Sequence, residues 1–81
     1  MRIDKFLKNS RIIKRRTVAK EACDQGRVLI NDKTAKAGTE VVPGDRIDLR
    51  LGSKVLSVEV VACLDHATKQ TAETMYRVIG D

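Results

Sequence analysis

Ten polar side chains within the first 33 residues carry most of the chemistry on offer: Arg2, Lys5, Arg11, Lys14, Arg15, Arg16, Lys20, Arg27, Asn31 and Lys33. Arg11, Lys14, Arg15 and Arg16 flank and open a stretch that reads as a helix over residues 16–25. Free N–H groups point outward at a helix start and suit phosphate oxygens. An arginine adds a planar fork that grips two such oxygens, where a lysine acts as a point charge. Basic side chains oppose the helix dipole at that end, so a bound anion would offset their cost there. Lys20 lies one helical turn beyond Arg16, on the same face. Asn31 brings both a donor and an acceptor for a sugar or a base. Together these groups predict a convex positive ridge, not a pocket.

Other chemistries find little support. His66 is the sole histidine and sits in a polar stretch. No serine or cysteine has a base at motif spacing, and no G-x-S-x-G occurs. Cys23 and Cys63 are far apart with no C-x-x-C, so both read as half-buried thiols and no metal site is expected. Asp45 and Asp48 are three apart on an extended segment and face opposite ways; Asp45 after Pro43-Gly44 is expected to stabilise the turn. Glycine-rich phosphate loops are absent, so no nucleotide or other cofactor is expected. The reading is of a binding module and not an enzyme.

The chain has 81 residues and a net charge of +5. Residues 1–27 hold nine basic against three acidic side chains, a surplus of six positive charges, whereas residues 28–81 carry one net negative charge. A field polarised in this way favours a polyanion. Phe6 and Tyr76 are the only aromatics. A single-strand reader stacks bases on aromatic rings, whereas an A-form RNA helix is read through its shape, phosphates and 2′-hydroxyls. Structured RNA is therefore the expected partner. There is no run of 18 apolar residues, so neither secretion nor a membrane span is expected, and a cytoplasmic monomer is.

The elements that position these groups follow from periodicity. Ile3, Phe6 and Leu7 share one face of a short helix over residues 2–9. Val18, Ala19, Ala22 and Cys23 give the second helix an apolar stripe of small side chains, and Gly26 stops it. Val28 and Ile30 alternate as a strand, Asn31-Asp32 forms a turn, and residues 33–37 read as a returning strand. Pro43-Gly44 predicts a type II turn leading to a strand with Ile47 and Leu49 on one side. Residues 55–61 are the strongest strand signal, with Leu56, Val58 and Val60 facing inward. Residues 65–75 read as a loop or one to two helical turns, and residues 76–79 as a final strand. The class is α+β: two N-terminal helices packed on a small, mainly antiparallel sheet.

Four blocks occur in order: Arg2-Ile3-Asp4-Lys5-Phe6-Leu7, Arg16-Thr17-Val18-Ala19-Lys20, Gly26-Arg27-Val28-Leu29-Ile30-Asn31-Asp32 and Val42-Pro43-Gly44-Asp45-Arg46-Ile47. On these blocks the chain resembles the S4 RNA-binding domain, also called the alpha-L motif. The resemblance implies an RNA-binding domain over residues 1–62, with residues 63–81 completing the same domain as a loop or short helix and a last strand. It implies that two helices and a hairpin clasp structured RNA, with Arg2, Lys5, Arg16 and Asn31 at the family's contact positions. Two departures stand out: Arg15 replaces the family's capping serine, and Asn31-Asp32 replaces the frequent Asn-Gly.

Only 31 residues follow position 50, too few for the pseudouridine synthase or tRNA synthetase that many members carry. Over its whole length the chain is most similar to the small stand-alone members of bacterial ribosome-associated quality control. That likeness implies binding to the obstructed large ribosomal subunit, through rRNA and peptidyl-tRNA, in support of a factor that adds alanines to stalled chains. The alternatives are a heat-shock-type large-subunit binder that recycles subunits with trapped chains, and a binder of another structured RNA.

Overall fold

The computed structural model describes residues 1–79. Its elements are α1 (Ile3–Asn9), α2 (Arg16–Asp24), β1 (Val28–Ile30), β2 (Lys33–Thr34), β3 (Arg46–Leu51), β4 (Lys54–Val60), α3 (Lys69–Ala72), a 3-10 turn (Glu73–Met75) and β5 (Tyr76–Val78). All neighbouring strands run antiparallel, in the order β2-β1-β3-β4-β5. The α+β expectation holds.

α1 is too short to stand alone in water. Its apolar face is fully withdrawn: Ile3, Phe6 and Leu7 are completely buried. They meet Ala19 and Cys23 of α2, Val28, Ile47, Leu49, Val58 and Val60 of the sheet, and Met75 in one core. Inward residues pair across strands as the pleat requires, Val28 with Leu49, Ile30 with Ile47, and Ile47 with Val58. Leu56 is only partly buried and packs at the margin of this core.

The two helices end differently. At α2 the N–H of Gly26 donates to the Cys23 carbonyl at 3.0 Å and that of Arg27 to the Ala22 carbonyl at 2.9 Å. This pair of bonds is a Schellman stop, and Gly26 takes the left-handed φ of +72° that it needs. At α1 the equivalent left-handed residue is Arg11, at φ +63°.

Three expectations need correction. The returning strand is Lys33–Thr34 only. After Thr34 the chain turns inward, burying Ala35 and Ala37. Residues 37–41 then clasp the N-terminus, with Ile3 N–H donating to the Thr39 carbonyl at 2.8 Å and Val41 N–H to the Met1 carbonyl at 2.8 Å. Secondly, Val18 is not part of the buried stripe but 46% exposed. Ala19 and Cys23, four apart, enter the core and Ala22 packs at its margin, which leaves Val18 on the outer side of α2. Thirdly, Cys23 is buried rather than half-buried; Cys63 is intermediate.

Pro43-Gly44 forms the expected turn, with Gly44 at φ +98° and Asp45 N–H donating to the Val42 carbonyl at 3.1 Å. The Asp45 carboxylate accepts from Val42 N–H at 3.0 Å, bracing that turn as expected.

Candidate nucleic-acid interface

Asp4 is 2% exposed in the first turn of α1. One carboxylate oxygen accepts the N–H of Lys5 at 2.8 Å, satisfying one of the donors that a helix start leaves free. The same carboxylate holds two arginines. Arg2 reaches it through Nη2 at 3.3 Å. Arg16, at the start of α2, reaches it through Nε at 3.4 Å and Nη2 at 3.4 Å. Both arginine side chains remain about half exposed, at 50% and 47%. A guanidinium has five N–H donors, so each arginine keeps donors beyond those spent on Asp4. The result is two forks fixed side by side, one from the N-cap of α1 and one from the first residue of α2.

Arg2 is fixed from a second side. It bridges to Glu40 through the backbone, and its guanidinium lies over Gly38, where a Cβ would sit 3.8 Å from Nη2. Lys20 is exposed one turn along α2 from Arg16, and Arg15 is exposed at the N-cap, where no side chain caps the helix. Arg2, Arg15, Arg16 and Lys20 are thus exposed basic side chains at the N-cap of α1 and along the first half of α2.

The remaining site residues are placed differently. The Lys5 ammonium pairs with Asp65 at 3.1 Å. Asn31 spends its side chain internally: its amide donates to Asp45 at 3.0 Å and its carbonyl oxygen accepts from Arg46 N–H at 2.9 Å. Those bonds hold Asn31 and Asp32 in the left-handed region, at φ +50° and +69°. Arg27 and Lys33 are exposed at either end of the β1 hairpin.

Arg11 and Lys14 do not stand on a ridge. They line a groove of about 620 Å³, together with Lys8, Asn9, Asp65 and His66. The purely convex surface anticipated above is corrected there. Lys8 and His66 were not among the anticipated site residues. For Lys8 the signal was available, since it lies one turn after Lys5 on α1. For His66 none was, because a long-range contact places it.

The Asp65 carboxyl is held below its ordinary carboxylate pKa, chiefly through the hydrogen bond from Lys5 and then through that ammonium's charge. The Cys23 thiol is pushed up to about 11 by burial, with Asp4 and Asp24 adding to it. Among the described residues, no three His, Cys, Asp or Glu side chains converge as metal ligands. No helix among them is long and apolar enough to cross a membrane.

The S4 domain family model matches residues 1–47, more than half of the chain and all ten anticipated site residues. The chain belongs to the S4 domain family. Its relatives narrow the comparison. The Bacillus subtilis "RQC P-site tRNA stabilizing factor" is 51% identical over 81 residues, covering 100% of this chain and 94% of that protein. The Haemophilus influenzae "Heat shock protein 15 homolog" is 32% identical over 65 residues, 80% of this chain and 50% of that one. Among solved structures, trimeric heat shock protein 15 of Vibrio cholerae superposes with a TM-score of 0.90 at 29% identity, over 98% of this chain and 81% of that chain. The S4 domain expected from the four sequence blocks is thus borne out in sequence and in fold.

Proposed function

We propose that this S4 domain protein is a non-catalytic RNA-binding factor that steadies P-site tRNA on an obstructed large ribosomal subunit during ribosome-associated quality control. The observation that carries the proposal is the pair of half-exposed guanidiniums, Arg2 and Arg16, organised by one buried carboxylate. Such forks suit RNA phosphates. Phosphate contacts position a protein on RNA and leave sequence selectivity minor. A factor that holds a tRNA in place needs that property and no reacting groups. Residues 1–62 form the RNA-binding part and residues 63–81 complete the same domain. The partners are rRNA and peptidyl-tRNA, with the alanine-tailing factor acting on the same complex in the cytoplasm. The full-length 51% identity to the tRNA-stabilising relative favours this reading over a heat-shock role, for which the identity is 32% over 65 residues.

The test is co-sedimentation with large subunits carrying peptidyl-tRNA, using Arg16→Ala. Hydrogen bonds to charged groups are worth about 1.5–3 kcal/mol each, so occupancy should fall on the order of tenfold to a hundredfold in affinity. Unchanged occupancy at near-physiological salt would remove Arg16 from the interface. Equal binding to vacant, intact ribosomes would remove the quality-control role.

A further inference from the structure

The groove beside α1 is built from two distant parts of the chain. One wall is the last turn of α1 and the loop that leaves it, with Lys8, Arg11 and Lys14. The other is the segment around His66. Two contacts fix that second wall. The Asn9 amide donates to the carbonyls of Leu64 at 2.9 Å and Asp65 at 3.1 Å, and Lys5 holds the Asp65 carboxylate at 3.1 Å. The one acidic group in the lining is therefore already paired, and the field inside is set by three cations and a histidine. None of Arg2, Arg16 or Lys20 lines it.

A second observation points the same way. Arg11 ends α1 in the left-handed region at φ +63°, where α2 uses Gly26. A residue with a Cβ is disfavoured there, and strain of this kind collects where side-chain placement serves function. A glycine would end the helix more easily but would remove a guanidinium from the groove.

We propose that this groove is a second RNA-backbone site, which takes phosphates of a strand other than the one held by Arg2 and Arg16. Lys8, Arg11 and Lys14 supply the charge. His66 donates a hydrogen bond from the opposite wall, making residues 64–66 part of the RNA surface. The inference rests on the RNA-binding reading above and makes the protein a clamp with two contact lines. A tRNA standing against rRNA presents two such strands.

Binding of the full chain to large subunits carrying P-site tRNA, measured across a salt series, tests it. Each phosphate contact on a duplex contributes about 0.9 to the slope of log affinity against log salt. The double variant Lys8→Ala, Lys14→Ala should lose affinity and shallow that slope by about 1–2, with Arg16→Ala shallowing it further. Arg11→Gly should bind more weakly while melting at a higher temperature, a combination that damage to the fold does not produce. His66→Ala should bind several-fold more weakly with an unchanged melting temperature. If Arg16→Ala shallows the slope and none of the groove variants does, the groove site is wrong and the RNA-binding reading stands. If no variant changes the slope, both are wrong. Weaker binding of the groove variants at an unchanged slope would mean an uncharged or protein contact there, and would also overturn the proposal.

Discussion

Asp4 on α1 and Arg16 on α2 form a two-point ion pair that joins the helices, with Nε and Nη2 each 3.4 Å from a different carboxylate oxygen. The carboxylate is buried and the guanidinium half exposed, so the pair acts as a bracket that presents Arg16 outward. This arrangement separates positioning from charge. Asp4→Asn raises the net positive charge by one, and a purely electrostatic view predicts tighter RNA binding. Loss of the bracket predicts the opposite: affinity lower by about tenfold, equivalent to ~1.4 kcal/mol, and a fold less stable by about 1–3 kcal/mol. RNA titration and urea unfolding of the one variant check both. Tighter binding would mean that Asp4 only dilutes the positive field.

The hairpin gives a contrasting prediction, because its strain is not tied to the RNA surface. Asp32 has φ +69°, a conformation that costs a residue with a Cβ roughly 1–2 kcal/mol and glycine almost nothing. Asn-Gly is the preferred pair for a two-residue hairpin of this twist. Asp32→Gly should therefore raise the melting temperature and leave Asn31 free to keep its bonds to Asp45 and Arg46. Asn31→Ala should do the reverse, lowering stability by about 0.5–1.5 kcal/mol through the lost surface hydrogen bonds to the Arg46 N–H and the Asp45 carboxylate. Thermal denaturation of the two variants side by side decides it.

The difference between these two sites shows what the sequence could reveal. Local signals were legible: Ile3, Phe6 and Leu7 as one helical face, Gly26 as a stop, Pro43-Gly44 and Asn31-Asp32 as turns. Each depends on a residue and its near neighbours. The role of Asp4 was not legible beyond its favourable place in a first turn, because Arg16 is twelve positions away and meets it only once α1 crosses α2. Asn31 was read as a donor and acceptor for RNA for the same reason. Its partners, Asp45 and Arg46, arrive from the far side of a strand pair. The groove was missed because its second wall comes from residues 64–66, and nothing in their composition says that Asn9 will hold them. Val18 was misplaced because a stripe of small apolar residues does not reveal which of its members will face the core.

The two thiols should differ in reactivity. Cys23 is 3% exposed and its thiol titrates at about 11, so almost none is thiolate at neutral pH, and the thiolate is the reactive form. Cys63 is only partly buried, and its thiol is raised mainly by burial, with the N-terminal ammonium acting to lower it. A thiol reagent at pH 7.5 should modify Cys63 first and reach Cys23 only after unfolding. Mass mapping of the modified site follows the order, and equal rates in the native protein would show that α2 opens readily.

Lys5 and Asp65 tie α1 to the segment around His66, and the tie is pH-dependent. A carboxyl whose folded value lies below its unfolded value stabilises the fold above the unfolded one and loses that contribution as pH falls through the folded one. Asp65 should thus show a midpoint below the ordinary 3.8, and the tie should persist at neutral pH and fail only in strong acid. Carboxyl titration by NMR gives the midpoint directly. In Lys5→Ala that midpoint should return towards 3.8, because the hydrogen bond and the charge depart together.

Met75 tests whether the segment that follows β4 is part of the cooperative unit or an appendage to it. Its side chain is fully buried in the core shared by α1 and the sheet. Its carbonyl accepts from the N–H groups of Val61 at 2.8 Å and Ala62 at 3.1 Å, which lock the end of β4 to the start of β5. Truncating a buried methionine to alanine costs about 2–5 kcal/mol through lost transfer energy and the cavity left behind. A domain of this size has a total stability of about 5–15 kcal/mol, so Met75→Ala should remove a large part of it and still unfold in one transition. Hydrogen exchange at Phe6 and Leu7, far away in sequence, should accelerate by the same free energy as exchange at Val58 and Val60. Faster exchange confined to residues near Met75 would show instead that the segment opens on its own, and that the S4 core holds without it.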